Sequence, residues 1–194
     1  MVALYVTAAV IQNVASTKII MNDCGLTIVY TGNGKGKTTA ALGLAVRAAG
    51  WDQKVAIVQF IKGFKATGEW KIIERIQEID IYQTFEDVKI AIASPREEHK
   101  KPARDAMNLA KKIIRSRKYD VVILDEINNA VHYGLVEAGE IIKLVNAKPV
   151  EMTMVFTGRG APEELLEIAD LVTEMREIKH PFKKGIVAKK GIDF

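Results

Sequence analysis

Short apolar runs recur along the chain, separated by stretches whose apolar positions fall three and four residues apart. Residues 26–30, 55–60, 79–82, 121–124, 152–156 and 171–175 are β-rich runs. Between them, residues 40–49, 69–77, 136–147 and 162–170 carry helical spacing. The longest helix is expected to open at Pro95 and Arg96 and run toward Tyr119. Ala103, Ala106, Met107, Ala110, Ile113 and Ile114 recur along its apolar face, and the basic residues opposite are read as solvated. Residues 83–94 are the least regular part of the chain. Run 121–124 is apolar throughout, as expected for a strand covered on both faces. Strands alternating with helices through short connections predict an α/β fold, a parallel sheet wrapped on both sides. Such sheets bind ligands at the carboxyl ends of their strands.

The first strand runs into Thr31-Gly32-Asn33-Gly34-Lys35-Gly36-Lys37-Thr38-Thr39, and a helical stretch follows at once. This is a phosphate-binding loop in its proper context. Gly32, Gly34 and Gly36 let the backbone bring N–H groups to phosphate oxygens with no Cβ in the way. The following helix points its positive end at the same place. Lys37 supplies a charge for the terminal phosphates, Lys35 a second cation, and Thr38 a hydroxyl suited to a nucleotide-bound magnesium. The pattern G-x-x-x-x-G-K-[ST] calls for glycine where this chain has Thr31, so the loop begins differently from the standard one.

Asp125 and Glu126 close the apolar run 121–124, at the same edge of the predicted sheet. A carboxylate there can hold magnesium directly or through water, and Asp125 is the candidate. Glu126 is a candidate to support the metal, contact a second substrate or align an attacking water. Thr157-Gly158-Arg159-Gly160 follows another apolar strand, with an arginine between two glycines that suits an anion. From spacing alone a tight turn with an exposed arginine is as good a reading. Lys62-Gly63 is a weaker case of the same kind. His99, His132 and His180 have no zinc spacing and are read as structural. The basic segment 176–190 is read as surface, with an anionic pocket as the alternative.

At 194 residues, with 48% hydrophobic and 27% charged content, the chain suits one α/β domain with a proper core. A net charge of +4 is mild, and no Lys/Arg run is dense enough to demand a nucleic-acid groove. The single Cys24 excludes an internal disulfide framework and fits a cytoplasmic protein. Residues 1–17 are uncharged and rich in Ala and Val, but polar Thr7, Gln12 and Asn13 interrupt them and no basic residue precedes them. They are expected to form a strand or helix packed on the domain or on a partner subunit, with a native start at Met21 as the alternative. The organisation expected is an N-terminal segment, 1–24, and one domain, 25–194.

TGNGKGKTTAA, VQFIKG at 58–63, LDE at 124–126, TGRG at 157–160, and KH followed by a terminal GIDF together resemble the P-loop type of ATP:corrinoid adenosyltransferase, from the cobalamin pathway. The resemblance runs from about Gly25 to Phe194. It implies a three-layer P-loop NTPase (RecA-like) fold with a mostly parallel central sheet. It also implies transfer of the 5′-deoxyadenosyl group of ATP to the Co(I) of a reduced corrinoid, with the triphosphate released intact. Cobalt would be the nucleophile, which agrees with the lack of a catalytic triad or reactive cysteine. Lys35, Lys37, the loop N–H groups and Mg2+ held by Thr38 and Asp125 would neutralise the leaving triphosphate. Family members bind ATP with reversed polarity along the loop, which suits the departure at Thr31. Arg159 would contact ATP or corrinoid. A homodimer, with a reductant or flavoprotein as electron donor, is also implied.

Two departures stand out. Where the family carries a Gly-Phe-Thr-Trp stretch beside the corrinoid, this chain has Asp87-Val88-Lys89-Ile90, leaving Val88 and Ile90 as the apolar candidates to shield cobalt. The family's polar, helical N-terminus is here apolar. The rival readings are a P-loop ATPase or kinase cleaving a phosphoanhydride bond, and a nucleotide-responsive binding protein without catalysis.

Overall fold

A computed structural model describes residues 24–61, 67–85 and 97–193. Six strands form the sheet: β1 (Thr27–Thr31), β2 (Val55–Gln59), β3 (Ile79–Gln83), β4 (Val121–Asp125), β5 (Thr153–Thr157) and β6 (Leu171–Glu174). Their spatial order is β3-β2-β4-β5-β1-β6. Every pairing is parallel. The helices are α1 (Lys37–Ala49), α2 (Gly68–Ile73), α3 (Glu97–Ser116), α4 (Ile127–His132), α5 (Ala138–Ala147) and α6 (Glu163–Ile168), with a 3-10 turn at Pro181–Lys184.

The apolar strands are explained by cover on both faces. On one face Val55, Ile57, Val121, Ile123 and Val155 pack with Ala41, Ala45 and Ala48 of α1 and with Ile73 of α2. Alanines at that contact let α1 lie close to the sheet. On the other face Ala56, Val58, Val122, Leu124, Met154 and Phe156 meet α3, α4, α5 and α6. Adjacent strand residues thus feed opposite cores, as the two-residue strand period requires. The result is a three-layer α/β fold of the P-loop kind.

The helical face expected around Ala103, Ala106, Met107, Ala110, Ile113 and Ile114 is the buried face of α3. Its basic face is not solely solvated: Arg104 and Lys111 both donate to Glu140 of α5, at 2.8 and 3.0 Å. Burial favours the protonated Glu140, but Lys111 and Arg104 outweigh it and hold the carboxyl below its ordinary range. Several expectations shift. The helix expected over 69–77 is the shorter α2, Gly68–Ile73. α4 arises directly after Asp125-Glu126, where no helix was expected, because Glu126 turns left-handed (φ 62°) and starts it. The helix expected over 136–147 begins later, at Ala138. Lys62-Gly63, Val88, Ile90 and the N-terminal residues 1–20 lie outside the described residues.

Candidate functional site

The loop after β1 is seated on the residue that follows β6. Gly34 N–H donates to the Met175 carbonyl at 2.6 Å, and Met175 N–H donates to Thr31 O at 2.9 Å. A Cβ on Gly32 or Gly34 would come within 2.5 or 2.6 Å of that carbonyl oxygen. Gly32 also has φ +90°, where L side chains are strained. The glycines are therefore required by the close approach of β6 as well as by the loop's own turn. Lys37 Nζ donates to Gly32 O and Gly34 O at 2.7 and 2.6 Å, which places its ammonium inside the loop. Helix α1 begins at Lys37, with Gly36 as N-cap, and neither an acidic residue in the first turn nor a side-chain cap offsets its positive end.

Strand register gathers the polar residues. Gln59 lies opposite Asp125 across β2 and β4, and Tyr30 opposite Thr157 across β1 and β5. β5 lies between the loop strand and the acidic strand, and Thr157 at its end is tied to the acidic strand. Its hydroxyl donates to Asp125 Oδ1 at 2.7 Å and accepts from Glu126 N–H at 2.9 Å. Thr38 Oγ1 donates to the same Oδ1 at 2.9 Å. Gln59 Nε2 donates to Oδ2 at 3.2 Å. Asp125, only 1% exposed, thus receives hydrogen bonds from Thr157, Thr38 and Gln59 just beneath the floor of the cleft. Glu126, on the floor itself, takes a left-handed conformation unusual for a residue with a Cβ.

Above this floor opens a cleft of about 550 Å³. It is lined by the loop residues Asn33, Gly34, Lys35, Gly36, Lys37, Thr38 and Thr39 and, beyond the loop, by Glu126, Asn129, Tyr133, Gly158 and Arg159. Gly158 has φ +132°, and a Cβ there would lie 2.6 Å from Asn129 Oδ1. That approach lets the Arg159 N–H donate to Asn129 Oδ1, which fixes the turn carrying the guanidinium. Desolvation is the main cause that lowers the Lys37 pKa below its ordinary value; the nearby Arg159 lowers it further and Glu126 partly restores it. Lys35 is ion-paired with Asp193, so the second cation of the loop meets the C-terminal turn.

Several residues at this site were given no specific role from the sequence. Gln59 and Thr157 carried a signal, each a polar residue ending an otherwise apolar buried run. His180, read as structural, lines the cleft, with Nδ1 accepting from Phe182 N–H at 3.2 Å. Gly191, Ile192 and Asp193 line it as well, and only the fold could bring them there.

The family model described as ATP:corrinoid adenosyltransferase BtuR/CobO/CobP matches residues 23–194. The chain belongs to the ATP:corrinoid adenosyltransferase family. Within that family it is similar to the corrinoid adenosyltransferase of Sinorhizobium sp, 40% identical over 185 residues that cover 94% of this chain and 86% of the relative. It is likewise similar to the corrinoid adenosyltransferases of Escherichia coli K12 and Salmonella typhimurium. Each is 38% identical and covers 88% of this chain and 86% of its own. Among solved structures, a KaiC-like protein from Pyrococcus horikoshii OT3 superposes with a TM-score of 0.53 at 16% identity, covering 80% of this chain and 75% of its own, a likeness of fold alone.

Proposed function

We infer that this protein transfers the 5′-deoxyadenosyl group of ATP to the Co(I) of a reduced corrinoid and releases triphosphate. The observation that carries the inference is the family match over residues 23–194, which contains the whole described cleft. The geometry supports it. No serine or cysteine is among the described residues lining the cleft, in keeping with a nucleophile that arrives on the substrate. Attack at C5′ breaks the C5′–O bond, and the electron pair leaves on the triphosphate. Lys37, Lys35, Arg159 and the positive end of α1 surround the space where that charge would lie.

Magnesium fits the oxygen donors present. Thr38 Oγ1 and Asp125 Oδ1 are 2.9 Å apart at the floor, and hard oxygen donors of this kind suit Mg2+. Among the described residues no cluster of three or more His, Cys, Asp or Glu could hold a metal alone, so triphosphate oxygens would complete its shell. When bound, the ion would neutralise part of the leaving charge. We assign Thr38 and Asp125 to the metal, Lys37 and Lys35 to phosphate, and Arg159 to ATP or corrinoid. Val88 and Ile90 keep their proposed place beside the corrinoid. A homodimer in the cytoplasm, served by a reductant or flavoprotein that supplies Co(I), completes the proposal. No helix among the described residues is long and apolar enough to cross a membrane.

Product analysis with ATP and chemically reduced corrinoid tests the reading. Triphosphate is the expected phosphate product, and Lys37→Ala should abolish its formation at low ATP. ADP and phosphate formed without need of corrinoid would favour an ATPase or kinase instead.

A further inference from the structure

Behind Asp125 lies a second polar layer that has no part in the transfer as described. Gln59 is only 1% exposed, and its Nε2 donates to Asp125 Oδ2 at 3.2 Å. Its Oε1 accepts from the indole N–H of Trp70 at 3.0 Å. The indole nitrogen can only donate, so the atom facing it must be the amide oxygen, and the amide NH2 must face the carboxylate. Without that donor the amide has no reason to keep its orientation, and a flipped amide would set an oxygen against Asp125 Oδ2. Trp70 stands on α2, whose first residues, Gly68 and Glu69, line the cleft. One chain of hydrogen bonds thus runs from the cleft wall, through Trp70 and Gln59, to the carboxylate that also receives the Thr38 and Thr157 hydroxyls.

We propose that Gln59 and Trp70 are positioning residues for the metal-nucleotide site: Trp70 locks the Gln59 amide, and the locked amide holds Asp125 with Oδ1 turned toward Thr38. The inference rests on the magnesium reading given above. Groups that orient a metal-binding carboxylate typically matter by about 10–100-fold in metal affinity.

Trp70→Phe keeps most of the ring and deletes the donor. Gln59→Met keeps the side-chain length and deletes both hydrogen bonds. In the full-length protein saturated with ATP, either change should raise the half-saturating Mg2+ concentration by about tenfold. Metal-free ATP affinity should stay unchanged. A second readout needs no turnover. Trp51, 80% exposed, is the other of the chain's two tryptophans, so in a Trp51→Phe background Trp70 alone reports. Its emission should change when Mg2+ is added to the ATP complex, and Gln59→Met should suppress that change.

Equal Mg2+ requirements in wild type and both variants would overturn the inference and leave the metal reading standing. So would parallel losses of metal-free and metal-dependent ATP affinity, the mark of a packing role. A wild-type chain whose ATP binding ignores Mg2+ would overturn the metal reading, and the inference with it.

Discussion

Replacing Thr157 by valine isolates the hydroxyl that ties the end of β5 to the acidic strand β4. The side chain is fully buried, so valine keeps the shape and removes only the hydroxyl. Two interactions go: the 2.7 Å donation to Asp125 Oδ1 and the 2.9 Å acceptance from Glu126 N–H. A hydrogen bond to a charged group contributes about 1.5–3 kcal/mol, and a buried N–H that loses its acceptor costs about 1–3 kcal/mol. The apolar gain from the added methyl offsets about 1 kcal/mol. A net loss of about 1.5–5 kcal/mol follows, or a fall in Tm of roughly 3–20 °C for a chain of this length. Thermal unfolding followed by circular dichroism measures it, with Thr157→Ser as the control that keeps the hydroxyl and loses only the methyl. If Thr157→Val were as stable as Thr157→Ser, the hydroxyl would not be what holds the ends of β4 and β5 together.

Gly158→Ala should destabilise by about 2 kcal/mol or more, since φ is +132° and the new Cβ meets Asn129 Oδ1 at 2.6 Å and Asn129 N at 2.8 Å; urea unfolding reads this. ATP affinity should fall as pH rises through the Lys37 pKa, which burial and then Arg159 hold below its usual value. Removing the neighbouring positive charge raises that pKa, so Arg159→Met should move the alkaline limb to higher pH even as overall affinity drops. Calorimetric titration of ATP across the alkaline range decides it, and an unmoved limb would refute the coupling.

Much of this architecture is legible in the residues themselves. Runs such as 121–124, apolar at every position, suit strands with both faces covered, and Val121 and Val122 do feed opposite cores. The phosphate loop is readable because glycine spacing, a preceding strand and a following helix constrain one another. What escaped depends on register and on chain return. That Gln59 sits opposite Asp125 follows from strand pairing, which local pattern does not encode. The second reason for Gly32 and Gly34, contact with Met175, comes from a residue far along the chain. α4 was missed because it depends on the left-handed Glu126, a conformation that propensity argues against for a residue with a Cβ. His180 has no metal-ligand spacing around it, and enters the cleft only because the chain after β6 returns to the loop.

The cobalt–carbon bond is reported directly by the ultraviolet-visible spectrum of a reduced cobalamin mixed with ATP, Mg2+ and the protein. Conversion of the Co(I) spectrum to that of an alkyl cobalt species, with triphosphate released in equal amount, is the predicted result. An unaltered Co(I) spectrum while ATP is consumed to ADP and phosphate would contradict it.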